Sequence, residues 1–183
     1  MTVTTRLRNP QTLYAGYMST TDTCLCVDDL DPATLLVDFL NTLDVDEGTD
    51  VLDDESGWTD WVAAHGLTPV CGTEDISAIR ALRDDLRRLA VGEGDWAVDV
   101  PVTVRMEGGR VTLGGSTPRG VLAAAAARLA VEERLDRVKI CPADDCRWAF
   151  YDSSRNQSRQ WCSMKVCGNR AKARNHRERA AAD

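Results

Sequence analysis

Residues 141–179 read CPADDCRWAFYDSSRNQSRQWCSMKVCGNRAKARNHRER, and the reading of this stretch decides the architecture of the chain. Four of the seven cysteines stand here, spaced C-x4-C-x15-C-x4-C. Zinc takes four donors in a tetrahedron, and thiolate is among its preferred ligands. Two cysteines a few residues apart present both sulfurs from one tight loop, and a second pair a hairpin's length away completes the shell. The spacing predicts that Cys141, Cys146, Cys162 and Cys167 hold one structural zinc ion per chain. Between the pairs, RWAFYD and RQW are expected as short strands joined by the turn SSRNQS, with the second pair opening a helix. Trp148, Phe150 and Trp161 are expected to supply most of the small apolar core. Metal binding then carries the folding, with about 10–16 kcal/mol typical of small zinc modules. A catalytic zinc would keep an open position, whereas four thiolates close the shell.

Charge sharpens the reading. The 183-residue chain has net charge -7, but residues 137–183 carry 11 Lys and Arg against 5 Asp and Glu, and residues 1–136 carry 11 against 24. An acidic body joined to a basic tail points to a polyanion partner. At 100° per residue, Lys165, Lys172 and Arg179 share one helix face, and Arg170, Arg174 and Arg177 share another. Few large apolar residues follow Cys167, so this helix has little to bury. Guanidinium and ammonium groups on a metal-anchored helix suit a duplex groove and its flanking phosphates. The residues expected at DNA are Arg147, Arg155, Arg159, Lys165, Asn169, Arg170, Lys172, Arg174, Arg177 and Arg179.

Upstream, periodicity predicts helices with one hairpin. Asp31 and Pro32 open a helix over ATLLVDFLNTL, with Leu36, Phe39, Leu40 and Leu43 on one face. The eight carboxylates from Asp44 to Asp60 read as a solvated loop, followed by a short helix bearing Trp58, Trp61 and Val62 and stopped at Gly66, with Pro69 beyond. Ile76, Ile79, Leu82, Leu86 and Leu89 mark an amphipathic helix between a Thr73 cap and Gly92. VPVTVRMEGGRVTLGG alternates on both sides of its glycines, a hairpin signal, and Thr117 and Pro118 open a further helix. DTCLCVDDL is expected to hold a short strand.

The tail resembles the CGNR zinc finger, whose motif stands here as Cys167, Gly168, Asn169 and Arg170. LVDFLNTL, WTDWVAAHGL and IRALRDDLRRLA resemble the ABATE domain that precedes that finger in a family of stress-induced transcription regulators. The resemblance implies a treble-clef-like, four-cysteine finger that binds DNA, with zinc on the four tail cysteines.

The fold class expected is α+β, mostly α. Residues 1–22 are expected as an arm, 23–136 as a mostly helical ABATE-like domain with a small β-hairpin, and 137–183 as the finger. The expected function is DNA binding in transcriptional regulation, the helical domain serving as a sensor of a small-molecule effector, a protein-partner platform or a homodimer interface. RNA binding, or a finger that mediates protein contacts, are the competing readings. No run of apolar residues is long enough to span a bilayer and no secretory signal is evident, so a cytoplasmic, nucleoid-associated protein is expected. Lysines confined to the tail and abundant Ala, Asp and Val point to a GC-rich bacterial genome. A calcium loop over Asp44–Glu55 is set aside because Thr49 stands where that loop needs glycine. Cys24, Cys26 and Cys71 are taken as ordinary thiols without a fourth ligand. No nucleophile–base arrangement, phosphate loop or acid pair is placed by sequence, so no enzyme is expected.

Overall fold

The computed structural model describes residues 25–26, 30–67, 74–93 and 99–182. The arm 1–22, Cys24, Pro69, Cys71 and Thr73 therefore lie outside the described residues. Helix α1 (Pro32–Leu40) begins where expected: Asp31 accepts from the Thr34 N–H and Pro32 occupies the first turn. It ends before Leu43, which lies instead in strand β2 (Leu43–Asp44). Thr42 turns the chain out of the helix, its backbone N–H and its buried hydroxyl both donating to the Phe39 carbonyl.

The acidic stretch is a folded unit rather than a solvated loop. Strand β2 pairs antiparallel with β3 (Thr49–Asp50), a 3-10 turn covers Val51–Asp53, and α2 runs Glu55–Ala64. Its carboxylates do the work of caps. Asp44 accepts from the N–H groups of Asp46 and Glu47, Asp50 from Leu52, and Asp54 from Ser56. Each satisfies backbone donors that a turn or helix start leaves unpaired.

Helix α3 (Ile76–Ala90) is capped by Asp75 rather than by Thr73. It buries Ile79, Leu82 and Leu86, and with them Arg83. Strands β4 (Thr103–Glu107) and β5 (Arg110–Gly115) form the expected hairpin about Gly108 and Gly109, whose φ values of 57° and 79° suit a two-residue turn. Strand β1 (Leu25–Cys26) adds to the other edge of β5, giving the order β1-β5-β4. Helix α4 (Pro118–Val131), capped by Thr117, packs on β5 at very close range. A Cβ on Gly115 would stand 2.3 Å from the Gly120 carbonyl carbon, so only glycine allows this crossing.

Helix α1 lies at the centre, against α3, α4 and the last hairpin, β6 (Val138–Ile140) with β7 (Ala149–Tyr151). Phe39, Leu36, Leu122, Leu129 and Ile79 share one core with Val138, Ile140 and Ala149. The finger's own hairpin is thus anchored in the apolar interior of the body. Helix α5 (Asn169–Ala182) follows a π-helical turn over Met164–Gly168 and is exposed throughout except at half-buried Ala171, among residues 169–181. Among the described residues, no helix is long and apolar enough to cross a membrane.

Candidate metal centre and its basic helix

The knuckle that bears the first two cysteines sits at the tip of the β6–β7 hairpin. Cys141 directly follows β6, and its N–H donates to the Trp148 carbonyl at 2.8 Å, extending the ladder. Ala143 then accepts from the N–H groups of Cys146 and Arg147, and Arg147 takes φ 54° to turn the chain back. The expected pairing of RWAFYD with RQW is therefore not the one formed. AFY pairs with VKI, which precedes the first cysteine, because Val138 and Ile140 enter the core of the body. The finger's small core also differs: Phe150 is buried and Trp161 packs beside it, but Trp148 is 38% exposed.

The second pair is set by a loop organised around Asp152, which is fully buried. Its carboxylate accepts from Lys139 Nζ at 2.7 Å and from the N–H groups of Ser154 and Arg159, each at 2.9 Å. Burial alone would raise its pKa, but Lys139 and these hydrogen bonds hold the carboxyl far below the usual range. Arg137 adds a clamp on the carbonyls of Asp152 and Ser154. From that loop, Arg159 lies over the Phe150 ring at 4.6 Å and donates to the carbonyls of Trp161 and Cys162. Ser163 then caps the π-helical turn, closed by Gly168 N–H to the Ser163 carbonyl at 3.0 Å, and delivers Cys167.

The four Sγ atoms all lie within 4.8 Å of one another. Cys146 and Cys162 are 3.5 Å apart, and Cys162 and Cys167 are 3.6 Å apart. A Zn–S bond of about 2.3 Å gives a tetrahedral edge of about 3.8 Å, so the set fits a four-thiolate zinc ion. Without a cation two of the thiols resist ionisation. Burial pushes the thiols of Cys162 and Cys146 up, and close sulfur neighbours add to the rise at Cys162. At Cys141 burial is outweighed by backbone hydrogen bonds from Cys162 and Ala143, and its pKa is lowered. A divalent cation relieves this conflict, and four thiolates leave it no open position. The four cysteines form a single structural zinc site.

The basic residues expected at DNA are divided by the fold. Lys172, Arg174, Arg177 and Arg179 are exposed on α5, and Arg155 is exposed in the loop before it. Lys165 is exposed but lies in the π-helical turn, so its spacing of seven to Lys172 does not follow the 100° rule. Asn169 opens α5 and donates to the Lys165 carbonyl at 3.1 Å. Arg147 is half-buried, with its carbonyl accepting from Arg87 at 2.8 Å. Arg159 holds the backbone of the second cysteine pair. Arg170 reaches back to Asp145 in the knuckle at 2.8 Å and to Cys167 Sγ at 3.8 Å. Asp145 is the main reason its guanidinium holds its proton more tightly than usual, with smaller contributions from Cys167 and from Asp46 of the acidic hairpin.

Sequence reasoning missed the residues that join finger and body. Asn41 brackets Ala149, donating to its carbonyl at 3.0 Å and accepting from its N–H at 2.7 Å. Arg87 bridges the Leu40 carbonyl at 2.7 Å and the Arg147 carbonyl. Nothing in a one-dimensional pattern marks these pairings, which join positions some 60 and 108 residues apart.

Comparison with known proteins agrees with this geometry. No curated protein matches the chain. The pattern of the CGNR zinc finger matches residues 137–180. That of the ABATE domain, described as a putative stress-induced transcription regulator, matches residues 33–143 and so most of the body. The chain belongs to the ABATE family and carries a CGNR zinc finger over residues 137–180.

Proposed function

We propose that this regulator binds duplex DNA through α5 and the loop before it, with zinc fixing the start of the helix. The observation that carries the reading is that Lys172, Arg174, Arg177 and Arg179 are all exposed, as pairs on two sides of a helix that buries almost nothing. With Lys165 and Arg155 these make six cations available to phosphates, while Arg159 and Arg170 act within the finger. Six phosphate contacts correspond to a log–log salt slope near -5. The ABATE body serves as the regulatory part, responding to an effector or partner, and the protein acts at the nucleoid.

Fluorescence titration of the zinc-loaded protein with duplex DNA over a range of salt tests this. A slope near -5, flattened by about one unit in Arg174→Ala, is expected. A slope near zero would overturn the helix assignment. Single-stranded RNA is the second reading, supported by Trp148, an exposed aromatic beside the second cysteine on which a base could stack. Tighter binding of single-stranded RNA than of duplex, lost in Trp148→Ala, would favour it.

A further inference from the structure

The β4–β5 hairpin carries an apolar face that, among the described residues, is only partly covered. In an antiparallel pair, directly opposed residues share a face. Val104 opposes Leu113, and Met106 opposes Val111. Leu113 packs against the core, so this is the inner face of the hairpin. Yet Val104, Met106 and Val111 are 51%, 77% and 61% exposed, because the hairpin runs past the core it covers. Val131, at the end of α4, is 81% exposed beside it, and a groove of about 470 Å³ lies between hairpin and helix. Contiguous exposed apolar surface of this kind marks an interaction site.

The backbone adds a second, independent feature. Glu107 and Arg110 close a two-residue turn, so they bond to each other across the hairpin. By alternation, Thr103, Arg105 and Glu107 turn their backbone groups toward β5, and Val102, Val104 and Met106 turn theirs outward. Among the described residues no strand pairs with that outer edge. All five residues of β4 are exposed. An open edge flanked by apolar side chains is a template for another strand.

We propose that this edge is where two copies of the chain associate, β4 against β4 across a two-fold axis, forming one continuous sheet. The occupant is a second copy because the edge is complementary to itself in one register. Centring the pair on Arg105 would set two guanidiniums directly opposite, which is unfavourable. Centring it on Val104 sets Val104 against Val104 and Val102 against Met106, so that all the outward backbone groups pair and the apolar faces join. On the other face Thr103 then meets Arg105. Centring on Met106 runs the ladder into the Gly108–Gly109 turn and forms fewer bonds. Charge also permits the approach: the hairpin carries Arg105, Arg110 and Glu107, without the acidic excess of the rest of the body.

Sedimentation velocity on the full-length, zinc-loaded protein over a range of concentrations tests this. The mass is expected to rise with concentration from 20.1 kDa to twice that value. Val104→Lys is expected to raise the dimer dissociation constant about tenfold or more, since each copy loses a buried apolar contact. Val104 is half exposed within the chain, so far-UV circular dichroism and zinc content should not change. Thr103→Glu puts a carboxylate against Arg105 of the other copy twice over and is expected to tighten the dimer several-fold, an effect no folding defect can produce. A single-chain mass at every concentration overturns the proposal and leaves the face to a different partner. A dimer indifferent to Val104→Lys overturns it as well. A dimer broken by Val104→Lys but not tightened by Thr103→Glu overturns the register.

Discussion

Helices α3 and α5 are both arginine-rich, as IRALRDDLRRLA and NRAKARNHRERAAA, yet the fold uses their arginines in opposite ways. In α3 they are structural. Arg83 is 2% exposed and grips Asp50 with both nitrogens, at 2.6 and 2.9 Å, and also reaches Thr42. Arg80 ties Asp50, Asp53 and the Leu52 carbonyl together, and Arg87 ties α1 to the zinc knuckle. In α5 the arginines beyond Arg170 point to solvent. The difference lies in what stands beside them. An apolar stripe of Ile79, Leu82 and Leu86 pulls α3 into the core, and Arg83, four residues after Ile79, goes with it and must find a partner. Helix α5 has no such stripe, and its start is fixed at the zinc site and by Arg170 on Asp145. One helix holds the molecule together, and the other is presented by it.

Removing zinc breaks this comparison most severely. Chelation, or Cys162→Ser, should abolish the order of the loop and the start of α5, since small zinc modules depend on about 10–16 kcal/mol of metal binding. Elemental analysis should return one zinc per chain before treatment and none in Cys162→Ser. Because Val138, Ile140 and Ala149 lie in the body's core, the α-helical signal of the body should persist. Complete unfolding on chelation would show that the two regions form one cooperative unit.

Breaking the α3 network comes next. Asp50→Ala leaves the buried Arg83 guanidinium with the longer contacts to Thr42 and Asp84 and should cost about 3–5 kcal/mol in chemical denaturation, as expected for loss of one partner of a buried pair. The same pair sets a pH dependence. Burial alone would raise the Asp50 pKa, but hydrogen bonding to Arg83 and Leu52 and the charges of Arg83 and Arg80 leave it lowered. A carboxyl held below its unfolded value contributes fully above about pH 4 and loses that stability as pH falls through its folded value. Wild-type stability should therefore drop below about pH 4, and Asp50→Ala should show a smaller drop there.

The smallest effects sharpen the contrast within the finger. Arg159→Ala should lower zinc affinity about 10- to 100-fold in competition with a chelator, since partners that orient metal ligands have effects of that size. Arg174→Ala should leave zinc affinity unchanged. Equal zinc affinity in both variants would remove the distinction between arginines that build the finger and arginines that face outward.

Much of this was legible in the chain itself. Periodicity marked α3 and the β4–β5 hairpin, and cap residues marked the starts of α1 and α4, because spacing and capping are local signals. The cysteine spacing identified the metal site because two tight loops suffice to bring four sulfurs together. The acidic stretch was misread because a carboxylate that caps a turn and one that faces water look alike in sequence. Strand pairing in the finger was misassigned for a similar reason. RQW is as plausible a strand as VKI until the body's core is present to receive Val138 and Ile140.

The sequence by itself determined the zinc ligands, the amphipathic helices and the separation of acidic body from basic tail, all set by composition and short-range spacing. Only the tertiary structure decided which arginines are tied inside and which stay free to meet a partner. A guanidinium's role depends on the carboxylates and carbonyls that the fold brings within 3 Å, and for Arg83, Arg87 and Arg170 those partners lie 25 or more residues away.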